Sequence, residues 1–176
     1  MKTKAVANIA LLLALLITTT LVLPSIPLGI FPVPFTLQVL VIFLIGFLLN
    51  PRDSFITVFL YIMLGCIGLP VFANGLGGIG VFMTATGGFL FAMPFAAALI
   101  AYGIAKYQHP TLWQYLLCGA MGMLLIHGIG ILWWHYITQA PLLNVLASDV
   151  LFLPLDSIKV LLAAIIVRKL PQNIAK

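Results

Sequence analysis

Six apolar stretches, each close to a bilayer in length, run through this chain, and the cations outside them fall only in every second connection and at the two ends. A helix crossing the hydrocarbon core needs about 20 mostly apolar residues. By that measure the candidates are residues 5–23, 31–49, 54–69, 80–105, 112–136 and 145–167. Lys2 and Lys4 precede the first, Arg52 lies between the second and third, and Lys106 follows the fourth; Arg168, Lys169 and Lys176 follow the sixth. Seven of the eight Lys and Arg residues therefore share one side, and the eighth, Lys159, lies inside the last stretch. The positive-inside rule then predicts an all-α membrane protein of six spans, N-in and C-in.

Composition agrees. The chain is 64% hydrophobic and 6% charged, where a soluble domain carries roughly 25% charged residues. Its net charge of +5 is spread over short loops and tails, which is not the clustered basic face of a nucleic-acid binder. The opening MKTKAVANIALLLALL has the shape of a secretory signal. No small-residue cleavage site follows it, so it is expected to stay as the first helix. Residues 1–176 read as a single integral membrane domain without internal repeats. Cys66 and Cys118 fall in different stretches and read as packing residues.

Two outer connections are unlike solvated loops. The first, LPSIPLGIFPVPFTLQ, holds Pro24, Pro27, Pro32 and Pro34; the second, GLPVFANGLGGIG, holds Pro70, Gly75, Gly77, Gly78 and Gly80. Irregular backbone at membrane depth is tolerated where it is buried in protein or lines a cavity. Both connections are expected to fold back as structured outer loops above a pocket.

Beneath them, in LFLPLDSIKVLLAAII, Asp156 and Lys159 stand one helical turn apart. An ionisable group at membrane depth costs roughly 2.5 to 3.5 kcal/mol on insertion scales. The i, i+3 spacing lets the two neutralise each other, either as a structural ion pair or as the polar end of a binding site. The cost favours a site. Pro154, just before them, is expected to remove a backbone bond from the sixth helix, and Pro94 to kink the fourth.

Little else offers chemistry. The chain has no Glu, no phosphate-binding G-x-x-x-x-G-K-[ST] and no H-E-x-x-H. His109, His127 and His135 have no spaced partner and read as satisfied polar side chains. No catalytic residue, cofactor or metal site is expected. The outer polar groups Thr36, Gln38, Asn74, Thr84 and Thr86, with Asp156 and Lys159, form a short set in an apolar surround. That suits capture of a small solute with an apolar body and a compact polar head.

The motifs PVPFTLQ, NPRDSFITVFLYIMLGCIGLPVFANGLGG, TATGGFLFAMPFAA and LPLDSIKVLLAAIIVRKL, in this order, closely resemble the BioY family, the biotin-binding S components of energy-coupling factor (ECF) transporters. The resemblance implies a six-helix S-component fold in the bacterial inner membrane. It implies capture of biotin from outside, with energy supplied by a separate transmembrane coupling protein and two ATPase subunits. It implies that Asp156 and Lys159 contribute to the biotin site, with Thr36, Gln38, Asn74, Gly77, Gly78 and Thr86 in the other pocket motifs. It also implies that small residues on the first helix, here Ala7, Ala10 and Ala14, meet the coupling protein, as a small-xxx-small face allows. Asn50, Asn74, Phe89 and Leu155 depart from the family's commoner residues, and Phe89 lacks a hydroxyl that tyrosine would bring. An S component for another vitamin, or a membrane-embedded enzyme, are the alternatives.

Overall fold

The computed structural model describes residues 3–22 and 36–170. Among these the chain is helical throughout, with one isolated β-bridge between Phe72 and Leu76. The helices are α1 (Thr3–Val22), α2 (Gln38–Leu48), α3 (Pro51–Cys66), α4 (Gly87–Ile104), α5 (Leu112–Thr138), α6 (Leu142–Asp149) and α7 (Phe152–Lys169). Single 3-10 turns occupy Ala73–Gly75 and Ile79–Met83. The proline-rich first connection lies outside the described residues.

Helix α4 packs against α5, α3 and α2; α7 packs against α2 and α5, and α1 lies along α3 and α2. Phe43, Phe47, Tyr61, Phe72, Ile100 and Ile126 fill the centre. Close approach of α5 to α7 depends on Gly119, where a Cβ would run into Val160. α1 buries Ile9, Leu12, Leu16 and Thr20 on one face and leaves Ala7, Ala10 and Ala14 exposed on the other.

α1 and α5 lie much where the hydropathy suggested, whereas α2 begins at Gln38 after its N-cap Leu37, and α4 begins at Gly87, seven residues after the expected start, with a 3-10 turn over Ile79–Met83 before it. Helix α3 begins at Pro51, three residues before the expected start. The Asn50 side chain accepts from the Asp53 N–H at 2.9 Å, and Pro51 takes the first turn, where its missing N–H costs nothing. The last segment, expected as one helix, is broken. α6 ends at Asp149 and α7 starts at Phe152, with a bend of 40° between them. Pro154 therefore sits in the first turn of α7, where no intrahelical bond is lost, so the expected gap in the ladder is absent. Pro94 does lie inside α4.

By length and composition α1, α4 and α5 can each cross a bilayer, and α6 with α7 can do so as one bent span. α2 has 11 residues and α3 has 16. The latter is about 24 Å at 1.5 Å per residue, against a hydrocarbon core of roughly 30 Å. Length alone thus supports three or four spans among the described residues, not six.

The second outer connection is structured, as expected. Val71, Phe72, Ala73 and Val81 are buried against the bundle. The Phe72 ring meets Tyr61 edge-on at 5.5 Å, and the Gly78 N–H donates to the Gly65 carbonyl at 2.7 Å. Asn74 at φ 61 and Gly78 at φ 91 make the turns, conformations that Asn and Gly adopt at least cost.

Candidate functional site

Four charged side chains meet where α5, α6 and α7 converge. Lys159 Nζ donates to Asp156 Oδ1 at 2.6 Å. Asp156 Oδ2 accepts from His127 Nε2 at 3.1 Å. On its other side His127 Nδ1 donates to both oxygens of Asp149, at 2.8 and 2.9 Å. None of the four is more than 5% exposed. Ionised carboxylates only accept, so a ring bonded to one on each nitrogen donates from both and carries a positive charge. The charges alternate along Asp149, His127, Asp156 and Lys159, and they cancel. That removes the penalty of an uncompensated ion, several kcal/mol per group in an interior like this.

The elements dictate this meeting. Asp149, Asp156 and Lys159 are spaced at seven and three residues, helical intervals that keep them on one side even across the bend at Val150 and Leu151. His127 faces them from the middle of α5. Its ring lies edge-on to Phe89 of α4, with centroids 6.0 Å apart.

The tetrad forms one wall of a cavity of about 50 Å³, whose other walls are Thr36, Gln38 and Val39 of the α2 start, Ala73, Thr86, Phe89, Met93, Ile126 and Phe152. A second cavity of about 60 Å³ adjoins it and shares Gln38, Ala73 and Thr86; Asn74 lies on its rim. Gln38 is fixed, because its Nε2 donates to Tyr61 Oη at 2.9 Å. Tyr61 in turn donates to the Val71 carbonyl at 2.8 Å, which ties α2, α3 and the second outer connection together. The combined surface is apolar and aromatic, with a charge-balanced polar end.

Of the residues singled out from sequence, Thr36, Gln38, Thr86, Asp156 and Lys159 line the first cavity, and Asn74 lines the second with Gln38 and Thr86. Gly77 and Gly78 line neither. Gly77 is pressed on the Leu69 carbonyl, and Gly78 turns the chain, so their place is in shaping the loop. His127 and Asp149 were not picked out. The one available signal was the shared helical interval of Asp149 and Asp156; His127 carries no spacing signal at all. Phe89, Met93 and Phe152 look like any other core residues in sequence. Trp134 is buried in the core, and Trp133 Nε1 donates to the Phe82 carbonyl at 3.1 Å.

The chain matches the model of the BioY family over residues 1–176. It is 35% identical over 155 residues to the biotin transporter BioY of Lactococcus lactis subsp. cremoris, covering 86% of this chain and 82% of that one. It is 36% identical over 176 residues to the probable biotin transporter BioY of Pyrococcus horikoshii, covering 98% and 99%. Among solved structures it superposes on the S-component for biotin from an ECF-type ABC transporter with a TM-score of 0.91 at 30% identity, covering 99% of this chain and 97% of that one. FolT bound with folic acid superposes with a TM-score of 0.65 at 18% identity, over 98% and 96%, a likeness of fold alone.

Proposed function

The chain belongs to the BioY family, and on that premise we propose that it takes up biotin by capturing it from the outer side in the cavity beside Asp156 and Lys159. It is a transporter component and not an enzyme; biotin is its substrate, not a cofactor. The observation that carries the reading is the buried, charge-balanced tetrad beside a cavity of otherwise apolar and aromatic walls.

The chemistry selects an orientation. The ureido ring of biotin is neutral, with two N–H donors and one carbonyl, whereas its tail ends in a carboxylate. Asp156 can accept from a ureido N–H through its remaining lone pairs, and Lys159 can donate to the carbonyl. A carboxylate placed there would add a third negative charge to a balanced set, so the tail points away from the tetrad. Thr36, Gln38, Thr86 and Asn74 complete the polar contacts, and Phe89, Met93 and Phe152 cover the bicycle and chain.

The finer topology belongs to the same reading: one domain, six spans, N-in and C-in, in the bacterial inner membrane. A separate transmembrane coupling protein and two ATPase subunits drive release inward. The exposed face of Ala7, Ala10 and Ala14 on α1 receives the coupling protein, since small residues permit close helix contact. Ala10→Leu is expected to leave biotin binding intact and abolish uptake by the assembled transporter. Loss of binding, or full uptake, would remove that face from the proposal.

The direct test is equilibrium binding of labelled biotin to the purified chain, with competition by unlabelled biotin, thiamine, riboflavin and folate. Competition by biotin alone is the expected result. Displacement by one of the other vitamins, or no binding, refutes the assignment.

A further inference from the structure

Ligand pockets usually measure about 300 Å³ or more, and the two cavities here hold about 50 and 60 Å³. Something covering them must move before a solute enters. Among the described elements that wall the first cavity, α6 has the fewest anchors. Leu142, Leu143, Asn144, Leu146 and Ala147 are exposed, and only Val145 and Asp149 are buried. Both its ends are breaks in the helical backbone. Gln139 precedes it in a left-handed conformation at φ 56, and the 40° bend follows it.

One of the two anchors is Asp149, held by His127, and His127 also holds Asp156. We propose that the Asp149–His127 pair is a positioning device: it latches α6 over the cavity and fixes the Asp156 carboxylate in the orientation that receives the solute. His127 acts as the shared member, so closure of α6 and orientation of Asp156 are one event. The charges facing His127 are Asp149 from α6 and Asp156 from α7, with Lys159 behind the latter; α4 presents the uncharged Phe89. Loss of Asp149 frees α6 to lift and lets the ring turn. The bound solute then leaves faster.

The identity of the solute rests on the biotin reading; the latch does not. Val145 is 1% exposed on α6 and reports its position. Val145→Cys is to be treated with a membrane-impermeant maleimide in the purified full chain, above the background from Cys66 and Cys118. We expect slow labelling in Val145→Cys alone and at least tenfold faster labelling when Asp149→Asn is added. Gly119→Ala, which loosens α5 against α7 elsewhere, is expected to change the rate less than twofold. Labelling unaffected by Asp149→Asn, or accelerated equally by Gly119→Ala, overturns the latch. In parallel, labelled biotin should dissociate at least tenfold faster from Asp149→Asn, and the double variant His127→Asn with Asp149→Asn should release it no faster than His127→Asn alone. Multiplicative effects of the two changes would show independent roles and overturn the shared device. Latch-dependent labelling in a chain that binds no biotin would sink the biotin reading and leave the latch standing.

Discussion

Each oxygen of the Asp156 carboxylate is already bonded, Oδ1 to Lys159 and Oδ2 to His127, so one substitution there leaves two cations facing a single remaining acid. Breaking one member out of a buried charged set costs about 3 to 5 kcal/mol. Asp156→Asn and Lys159→Ala are each expected to weaken biotin binding well over tenfold and to lower the unfolding temperature. Asp156→Asn combined with Lys159→Met restores charge balance. It should recover much of the stability, read by thermal unfolding, while binding stays lost. A double variant that binds biotin like the parent would show that the pair is structural only. Asp156 and Lys159 were legible in the sequence because charge is costly in an apolar run. His127 was not, because its partners lie 22 and 29 residues away and no local spacing encodes that meeting.

Helices in this chain are written in a weak code. Apolar residues surround most of them, so periodicity says little about which face is inside, and end signals carry the boundaries. Where caps exist they are clear. Asn50–Pro51–Asp53 starts α3, and Thr111 with Gln114 forms a capping box at α5. The break between α6 and α7 has neither glycine nor proline at Val150 and Leu151, so the pattern read as one continuous span. Packing between helices instead relies on small residues, as expected where lipid offers no hydrophobic drive. Gly119→Ala would set a Cβ against Val160 and should cost about 1 to 3 kcal/mol as overpacking. Gly128→Ala meets no atom within 4 Å; it should be neutral or stabilising, by no more than the ~1 kcal/mol that separates Gly from Ala in a helix. Thermal unfolding of the two variants in the same detergent checks the contrast. Equal effects would mean that α5 and α7 are not in the close contact described.

For the whole molecule, the distribution of cations made the six-span reading, whereas helix length supports three or four spans among the described residues. The two can be separated by labelling intact cells. Gln139→Cys, at the exposed turn after α5, should react with an impermeant maleimide, and Gln108→Cys, at the exposed turn before it, only after lysis. The opposite pattern would invert the topology. The tetrad has a kinetic corollary as well. Alternating charges that sum to zero within a few ångströms cast almost no field beyond the pocket mouth, so an approaching anionic vitamin is neither drawn in nor turned away. Electrostatic steering can raise association rates 10- to 1,000-fold and fades steeply with ionic strength. Here the on-rate for biotin should change little between dilute and concentrated salt, leaving uptake governed by encounter and by the opening of the mouth, in fresh water and brine alike.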